Sequence, residues 1–146
     1  MPKETSSGAV VFRETPQTEY LLLRYSAGHW GFVKGQIERG EKPVETAKRE
    51  LREETGIHEA EVIDGFQEKI SYYYKRRGET VYKEVVYRLF HVKCSRVVLS
   101  DEHTDFAWLS YPLAKERLTH KNAKHVLWKA QQTLAKRQGG GEPPAN

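Results

Sequence analysis

Short apolar runs, separated by polar and turn-forming residues, mark the first third of the chain. Residues 6–13 and 20–25 are rich in valine, leucine and phenylalanine, and a turn-like stretch containing Pro16 lies between them. Runs of this kind are typical of β-strands. We therefore predict two neighbouring strands, then a third extended segment at 30–33 and a loop at 34–42.

The next segment changes from strand-like to helical spacing. Its apolar and small residues recur every three or four positions, at Val44, Ala47, Leu51 and Thr55. At about 100° per residue this spacing forms one face of an α-helix. Pro43 suits the first turn of that helix and Gly56 suits its C-terminal cap.

Three glutamates lie on the adjoining arc of the same predicted helix, namely Glu50, Glu53 and Glu54. Like charges four residues apart on a helix repel each other by a few tenths of a kcal/mol, roughly. The cluster therefore predicts a bound cation. Oxygen ligands suit hard divalent ions, so we expect Mg²⁺ first and Mn²⁺ as a substitute.

The second half of the chain alternates between strand-like and helical patterns. We predict strands at 61–69, 70–74, 81–93 and 105–109, a basic turn at 75–79, and a last helix at 122–136. The strand at 81–93 carries large residues on both faces, which is typical of a central strand. Strands interleaved with helices of unequal length predict an α/β fold with a mixed sheet between helical layers.

Length and composition narrow the class of protein. The 146 residues predict one domain at 1–138, followed by a disordered tail at 139–146 that is rich in glycine and proline. The single cysteine, Cys94, argues against a disulfide scaffold or a zinc site. The polar N-terminus and the lack of a long apolar run predict a cytoplasmic protein with no membrane association. A formal net charge of +4 favours an anionic partner.

The helical segment belongs to a longer motif with fixed spacing. The motif reads Gly35-x5-Glu41-x7-Arg49-Glu50-Leu51-x-Glu53-Glu54-x-Gly56-Ile57. It resembles the Nudix box at every fixed position, and the chain is similar to Nudix hydrolases over nearly its whole length. The resemblance implies an α/β/α sandwich in which the box forms a loop, a helix and a second loop. It also implies hydrolysis of a nucleoside diphosphate that is linked to another group.

The resemblance also implies roles for the acidic residues. Glu50, Glu53 and Glu54 match the carboxylates that bind divalent metal in Nudix enzymes, and the backbone carbonyl of Lys34 often joins them. Bound metal would lower the pKa of the attacking water, and a carboxylate would accept the proton of that water. The candidates for this base are Glu53, Glu54 and Glu102, and Glu102 is also a candidate metal ligand. A further matching pair, Glu41 and Arg49, braces the loop against the helix in the family.

Segments outside the box resemble the asymmetrical diadenosine tetraphosphate hydrolases of this family. The similar segments are Ser-x-Glu-His with a following Trp-Leu at 100–109, His-Trp at 29–30, Lys-Gly at 34–35, and Lys-x-Val-x-Tyr at 83–87. The resemblance implies substrate contacts at His29, Lys34, Lys83 and Tyr87. It implies that diadenosine tetraphosphate is cleaved by water to ATP and AMP.

Three alternatives keep the fold and change the function. The surroundings of Trp30 and Gly35 also resemble bacterial RNA pyrophosphohydrolases, and the basic residues at 75–77 would suit an RNA 5′ end. A nucleoside triphosphate or a nucleotide sugar is another substrate class for the same chemistry. A module that binds nucleotides without hydrolysing them is the alternative from another class, but such modules have degenerate boxes and this box is intact.

Overall fold

A mixed sheet of eight strands forms the centre of the fold. The computed structural model describes residues 1–14, 16–93 and 96–139. The elements in chain order are β1 (Lys3–Glu14), β2 (Thr18–Tyr25), β3 (Trp30–Gly31), β4 (Val33–Gln36), α1 (Pro43–Thr55), β5 (Glu61–Val62), β6 (Glu68–Arg76), β7 (Glu79–His91), β8 (His103–Leu109), α2 (Tyr111–Arg117) and α3 (Lys121–Gly139).

The strands β1 and β7 lie side by side in the middle of this sheet. They run parallel from the pair Lys3 and Tyr82 to the pair Phe12 and His91. On its other side β1 pairs antiparallel with β2 and β4, while β7 pairs antiparallel with β5 and β6. The strand β8 pairs with β2. The predicted mixed sheet and the predicted central strand at 81–93 are therefore confirmed.

Helices cover the two faces of the sheet and bury one apolar cluster on each side. On one face α1 places Ala47 and Leu51 against Val11 and Phe90. On the other face α3 places Val126 and Leu127 against side chains that include Val85. The two clusters confirm the α/β class and the helical layers on either side of the sheet. No helix in the described part of the chain is long and apolar enough to cross a membrane.

The sequence was a good guide to the helix that carries the glutamates. Pro43 begins α1, and Gly56 caps it in the left-handed conformation with φ of 75°. Glycine adopts that conformation without the steric cost that a Cβ atom brings. The predicted start and end of the helix are confirmed.

Several strand boundaries were predicted wrongly. The predicted strand at 61–69 ends after Val62, because a turn at Gly65, with φ of 90°, separates β5 from β6. The predicted loop at 34–42 begins later than expected, because residues 34–36 pair with β1 and complete β4. The predicted turn at 75–79 is reduced to residues 77 and 78, because β6 extends to Arg76 and β7 begins at Glu79. The predicted strand at 105–109 begins earlier, at His103. In these places strand pairing and backbone conformation override the local composition. Cys94 and the predicted tail beyond Gly139 lie outside the described residues.

Candidate active site

Arg49 ties the loop before α1 to the carboxylates of the helix. Its Nε atom donates to Glu41 Oε2 at 2.7 Å, and Nη1 donates to Glu50 Oε2 at 2.9 Å and to Glu53 Oε1 at 3.1 Å. Its Nη2 atom reaches the carbonyl oxygen of Gln36 at 3.1 Å. The hydrogen bond from Arg49 is the main reason that the pKa of Glu41 falls to about 2. One guanidinium thus fixes the loop and offsets part of the negative charge on α1.

Glu50 lies directly against the backbone of β4. A Cβ atom placed on Gly35 would lie 2.1 Å from the carboxyl carbon of Glu50 and 2.1 Å from its Oε2 atom. Contacts this short do not occur, so only glycine permits the approach. Gly35, the first glycine of the motif, therefore allows the carboxylate of Glu50 to lie against β4, the strand that contains Lys34.

Glu54 is the most buried of the three helical glutamates, with 3% of its surface exposed. Burial is the first cause that raises its pKa well above the ordinary value, followed by a hydrogen bond with Glu50 and by the charges of Glu50 and Glu102. Its Oε1 atom has no hydrogen-bond partner among the described residues. Two acidic side chains thus share a buried site in which a second negative charge is unfavourable.

His103 lies beside the buried end of Glu54. The distance from His103 Nε2 to Glu54 Oε1 is 3.5 Å, and the other ring nitrogen, Nδ1, lies 3.3 Å from Ser100 Oγ. Burial lowers the pKa of the imidazole, which favours the neutral ring. In the tautomer with a proton on Nε2, the Nε2–H group points toward the Glu54 carboxylate as a donor, and Nδ1 can accept a hydrogen bond from the Ser100 hydroxyl.

The two other predicted acidic residues occupy more open positions. Glu53 has 56% of its side chain exposed and is held by Arg49. Glu102 is exposed on the turn before β8, and its backbone carbonyl accepts hydrogen bonds from the amide and hydroxyl of Ser26. The charge of Glu102 acts on the pKa values of Glu54 and His103, which places its carboxylate in their neighbourhood.

The donor set fits a hard divalent cation. Glu50 and Glu54 bring carboxyl oxygens together at a buried point, and the unpaired Oε1 atom of Glu54 is an oxygen that a cation would satisfy. A divalent ion would also remove the repulsion that raises the pKa of Glu54. In the described part of the chain, no three histidine, cysteine, aspartate or glutamate side chains form a complete ligand set. The ligand set is incomplete in part because the side chain of Glu53 turns toward Arg49.

An aromatic cavity of about 480 Å³ lies next to this acidic cluster. This size is in the range of pockets that bind small organic ligands. The residues that line it are Tyr25, His29, Trp30, Gly31, Phe32, Lys34, Ile70, Tyr72, Tyr87, His120, Lys121, Asn122 and Ala123. Five of these residues are tyrosine, tryptophan or phenylalanine, and lysine, histidine and asparagine side chains add polar groups.

Two of the predicted substrate contacts, His29 and Lys34, lie in the wall of this cavity and meet at Tyr25. The ring of His29 stacks on the ring of Tyr25 with centroids 4.4 Å apart, and the Nζ atom of Lys34 lies 5.7 Å from the same ring. Burial, and then the positive charge of Lys83, lower the pKa of Lys34, whereas the charge of Glu54 raises it. Lys34 thus lines the cavity, while the next residue, Gly35, lies against the carboxylate of Glu50.

Tyr87 and Lys83 lie on the same face of β7 but take different positions. Tyr87 is buried in the cavity wall, where its ring meets that of Phe32 at a centroid distance of 5.5 Å. Lys83 lies four residues before Tyr87 on β7. It pairs across the sheet with Tyr72 of β6, which does line the cavity. The lysine therefore borders the cavity wall without forming part of it.

Sequence reasoning gave no role to Tyr25, and it expected an orienting hydrogen bond at His103 without naming a partner. Tyr25 contacts His29, Lys34 and His103, yet its run of apolar neighbours marked it only as part of a strand. His103 had no predicted partner, because Glu54 is distant from it in the chain. The one available signal was the position of His103 directly after Glu102, a residue that the resemblance had already marked.

Known proteins are similar to this chain in sequence and in fold. An asymmetrical bis(5′-nucleosyl)-tetraphosphatase of Mus musculus is 35% identical over 140 residues, which cover 87% of this chain and 92% of the mouse protein. The crystal structure of an Ap4A hydrolase from C. elegans in a binary complex matches with a TM-score of 0.80 and 27% identity, covering 91% of this chain and 98% of the other. An RNA pyrophosphohydrolase of Nitratiruptor sp. is 42% identical over 48 residues, which cover 33% of this chain.

The family assignment depends on how much of the chain takes part in the match. The RNA pyrophosphohydrolase matches only a third of the chain, whereas the mouse protein and the C. elegans structure match nearly all of it. The model of the NUDIX domain matches residues 3–129, a range that includes all eight strands, α1, α2 and the start of α3. The chain therefore belongs to the Nudix family.

Proposed function

We propose that the protein is a Mg²⁺-dependent hydrolase of dinucleoside polyphosphates that cleaves diadenosine tetraphosphate asymmetrically to ATP and AMP. The observation that carries this proposal is the aromatic cavity beside the paired carboxylates: Lys34 lines the cavity, and the next residue, Gly35, lies against Glu50. An adenosine group needs aromatic walls, and the phosphates attached to it need cations. The extensive similarity to a named tetraphosphatase supports the same substrate class.

We assign the metal site to the acidic cluster. Glu50, Glu53, Glu54 and Glu102 supply carboxylates, and Lys34 supplies its backbone carbonyl. When bound, Mg²⁺ lowers the pKa of water and offsets the charge of phosphate oxygens. Glu53 and Glu102 are exposed and so have more direct access to bulk water than Glu54 for releasing a proton. This favours them over Glu54 as the general base.

The remaining proposed contacts divide between the base and the phosphates of the substrate. Aromatic side chains of the cavity, with His29 and Tyr87 among them, hold the adenosine of the substrate. Lys34 and Lys83 bind the phosphate chain, and the charge of Lys83 contributes to lowering the pKa of Lys34. Tyr72 lies opposite Lys83 in the sheet and in the cavity wall, so it links the two parts.

The basic segment at 75–77, which ends β6 and begins the turn to β7, gives no support to the RNA alternative. Lys75 Nζ donates to Thr80 Oγ1 at 2.8 Å, and Arg76 forms an ion pair with Glu4. Two of its three cations are thus committed to neighbouring side chains. A turn arranged in this way offers less charge to an RNA backbone than its composition suggests.

A substrate panel tests the proposal. The protein is incubated with Mg²⁺ and, separately, with diadenosine tetraphosphate, a nucleoside triphosphate, a nucleotide sugar and triphosphorylated RNA, and the products are separated by chromatography. We expect diadenosine tetraphosphate to give equal amounts of ATP and AMP at the highest kcat/KM of the panel. The proposal is wrong if this substrate survives while the RNA loses pyrophosphate.

A further inference from the structure

Glu4 is a largely buried carboxylate whose place in the sheet relates it to the proposed phosphate site. It lies on β1 directly beside Lys83 of β7, in the parallel pair of strands at the centre of the sheet. Only 11% of the Glu4 side chain and 15% of the Lys83 side chain are exposed. A carboxylate beside a surface that receives an anionic substrate needs an explanation, since like charges repel.

Three donors surround the Glu4 carboxylate, and they hold it unequally. Tyr74 Oη donates to Glu4 Oε1 at 2.6 Å, and Arg76 forms an ion pair with Glu4 Oε2. Lys83 Nζ lies 3.9 Å from Glu4 Oε1. The hydrogen bond from Tyr74 is the main cause that lowers the pKa of Glu4, so the group stays ionised. Glu4 is thus fixed by the β6 side chains and holds Lys83 more loosely.

Glu4, Arg76 and Lys83 together carry one net positive charge, which is available to an anionic ligand. Arg76 neutralises Glu4, so the ammonium of Lys83 is the uncompensated charge of the three. Because the contact with Glu4 is long, the ammonium keeps donor capacity for another acceptor. A long lysine side chain also loses much conformational freedom when it is fixed, so holding it in advance reduces the cost of binding a ligand.

We propose that Glu4 is a positioning residue that holds the ammonium of Lys83 toward the phosphate chain of the substrate. Tyr74 and Arg76 fix the Glu4 carboxylate, and the carboxylate restrains Lys83 beside Tyr72 at the border of the cavity. This inference rests on the proposed function, because it requires Lys83 to bind phosphate. It assigns to Glu4 no direct contact with the substrate.

The other face of the same strand pair supplies a matched control. Glu84 has 16% of its side chain exposed, and it accepts a hydrogen bond from Tyr82 Oη at 3.0 Å. Its ion pairs are with Lys3 at 3.5 Å and Lys69 at 3.7 Å. One tyrosine and two cations thus surround Glu84 as they surround Glu4, but residues 83 and 84 point to opposite faces of β7. Loss of either network should perturb the same strand pair to a similar extent.

A double-mutant cycle tests the inference through KM for diadenosine tetraphosphate. We expect Glu4→Gln to raise KM about three- to tenfold with kcat nearly unchanged, which is the scale of coupling between residues in contact. In a Lys83→Ala background, Glu4→Gln should have no further effect. Glu84→Gln should leave KM within about twofold of the wild type. Tyr74→Phe, a milder change, should raise KM in the same direction as Glu4→Gln even if the latter folds poorly.

Failure of the inference and failure of the proposed function give different results. If Lys83→Ala leaves KM unchanged, Lys83 does not bind the substrate and the proposed function loses that contact. If Lys83→Ala raises KM, the inference about Glu4 is overturned by any of three results. The first is a KM that is unchanged or lowered by Glu4→Gln. The second is a rise in KM from Glu4→Gln that is equally large in the Lys83→Ala background. The third is a rise in KM from Glu84→Gln as large as that from Glu4→Gln.

Discussion

The carboxylate cluster and the aromatic cavity are neighbours that are built in different ways. Three of the four glutamates of the cluster come from one continuous segment, in which Arg49 and one close approach at Gly35 set their positions, and Glu102 joins them from the turn before β8. The cavity takes side chains from five strands, from α3 and from the residue before α3. The comparison indicates that one set of residues, the cluster, determines the reaction, and that another set, the cavity, determines the preference for substrate. Changes in the cluster should act on kcat, and changes in the cavity should act on KM.

The largest expected effect is the loss of Glu54 from the cluster. We expect Glu54→Gln to lower kcat by on the order of 10³–10⁴-fold, the scale seen when a group essential to the transition state is removed. The fold should survive, because the amide removes the repulsion between Glu54 and Glu50 without leaving a cavity. Steady-state kinetics with Mg²⁺ and thermal unfolding measure the two quantities. The exposed Glu59, replaced by glutamine, serves as control, and equal activity of both variants would contradict the site.

A smaller effect is expected from the imidazole that lies against Glu54. His103→Asn should weaken Mg²⁺ affinity and activity by about 10- to 100-fold, because partners that orient a ligand commonly contribute that much. The measurement is activity as a function of Mg²⁺ concentration. Ser100→Ala should act in the same direction and more weakly, since the Ser100 hydroxyl lies against His103 Nδ1 and the Glu102 amide rather than against a carboxylate. An unchanged Mg²⁺ dependence for His103→Asn would separate this residue from the metal site.

The cavity wall offers two adjacent tyrosines with opposite expectations. Tyr72 lines the cavity, whereas Tyr73 points away from it and has 63% of its surface exposed. We expect Tyr72→Ala to raise KM for diadenosine tetraphosphate about tenfold with little change in kcat, as for the loss of one ring stacked on a base. Tyr73→Ala should leave both constants within about twofold of the wild type. Equal effects on KM, or an effect of Tyr72→Ala on kcat alone, would break the division between the two regions.

The expected effect on stability belongs to the cluster alone. The pKa of Glu54 lies above its ordinary value of 4.5 in the folded protein, mainly because the group is buried. The stabilisation from its protonated form is complete below that ordinary value and is lost as the pH rises through the folded pKa. The melting temperature of the metal-free protein should therefore fall between about pH 6 and about pH 9.

Two controls sharpen this pH test. The slope of melting temperature against pH should flatten in Glu54→Gln and in the wild type with saturating Mg²⁺, since both remove the cost of ionising Glu54. It should persist in Tyr72→Ala, whose change lies in the cavity. Differential scanning calorimetry across the pH range measures these slopes. A slope that is the same with and without Mg²⁺ would argue that the ion does not bind at Glu54.

Local spacing was sufficient to predict that three glutamates lie on one side of α1. A helix places residues three and four apart on one side, so the positions of Glu50, Glu53 and Glu54 followed from counting along the chain. Gly56 marked the end of the helix for an equally local reason, because the left-handed cap favours glycine. The position of Gly35 against Glu50 was different. The spacing matched a known motif, but only the packing of α1 on β4 gives the steric reason for the glycine.

The cavity depended on contacts that the order of residues does not contain. Alternation along β6 predicts that Tyr72 and Tyr73 point to opposite faces, but not which of them points inward. That choice is made by the pairing of β6 with β7, which sets Tyr72 opposite Lys83. The contact of Glu4 with Tyr74 likewise joins the first strand to the sixth. Such pairs become visible only when the register of the sheet is known.

Hydrolysis of diadenosine tetraphosphate in ¹⁸O-labelled water tests the central claim most directly, because it asks whether the cluster acts on the phosphorus next to one adenosine. The reaction is run with Mg²⁺, and the nucleotide products are analysed by mass spectrometry. We predict that AMP carries one labelled oxygen and that ATP carries none, with no label incorporated by Glu54→Gln. Label in ATP, or formation of two ADP molecules, would contradict the account.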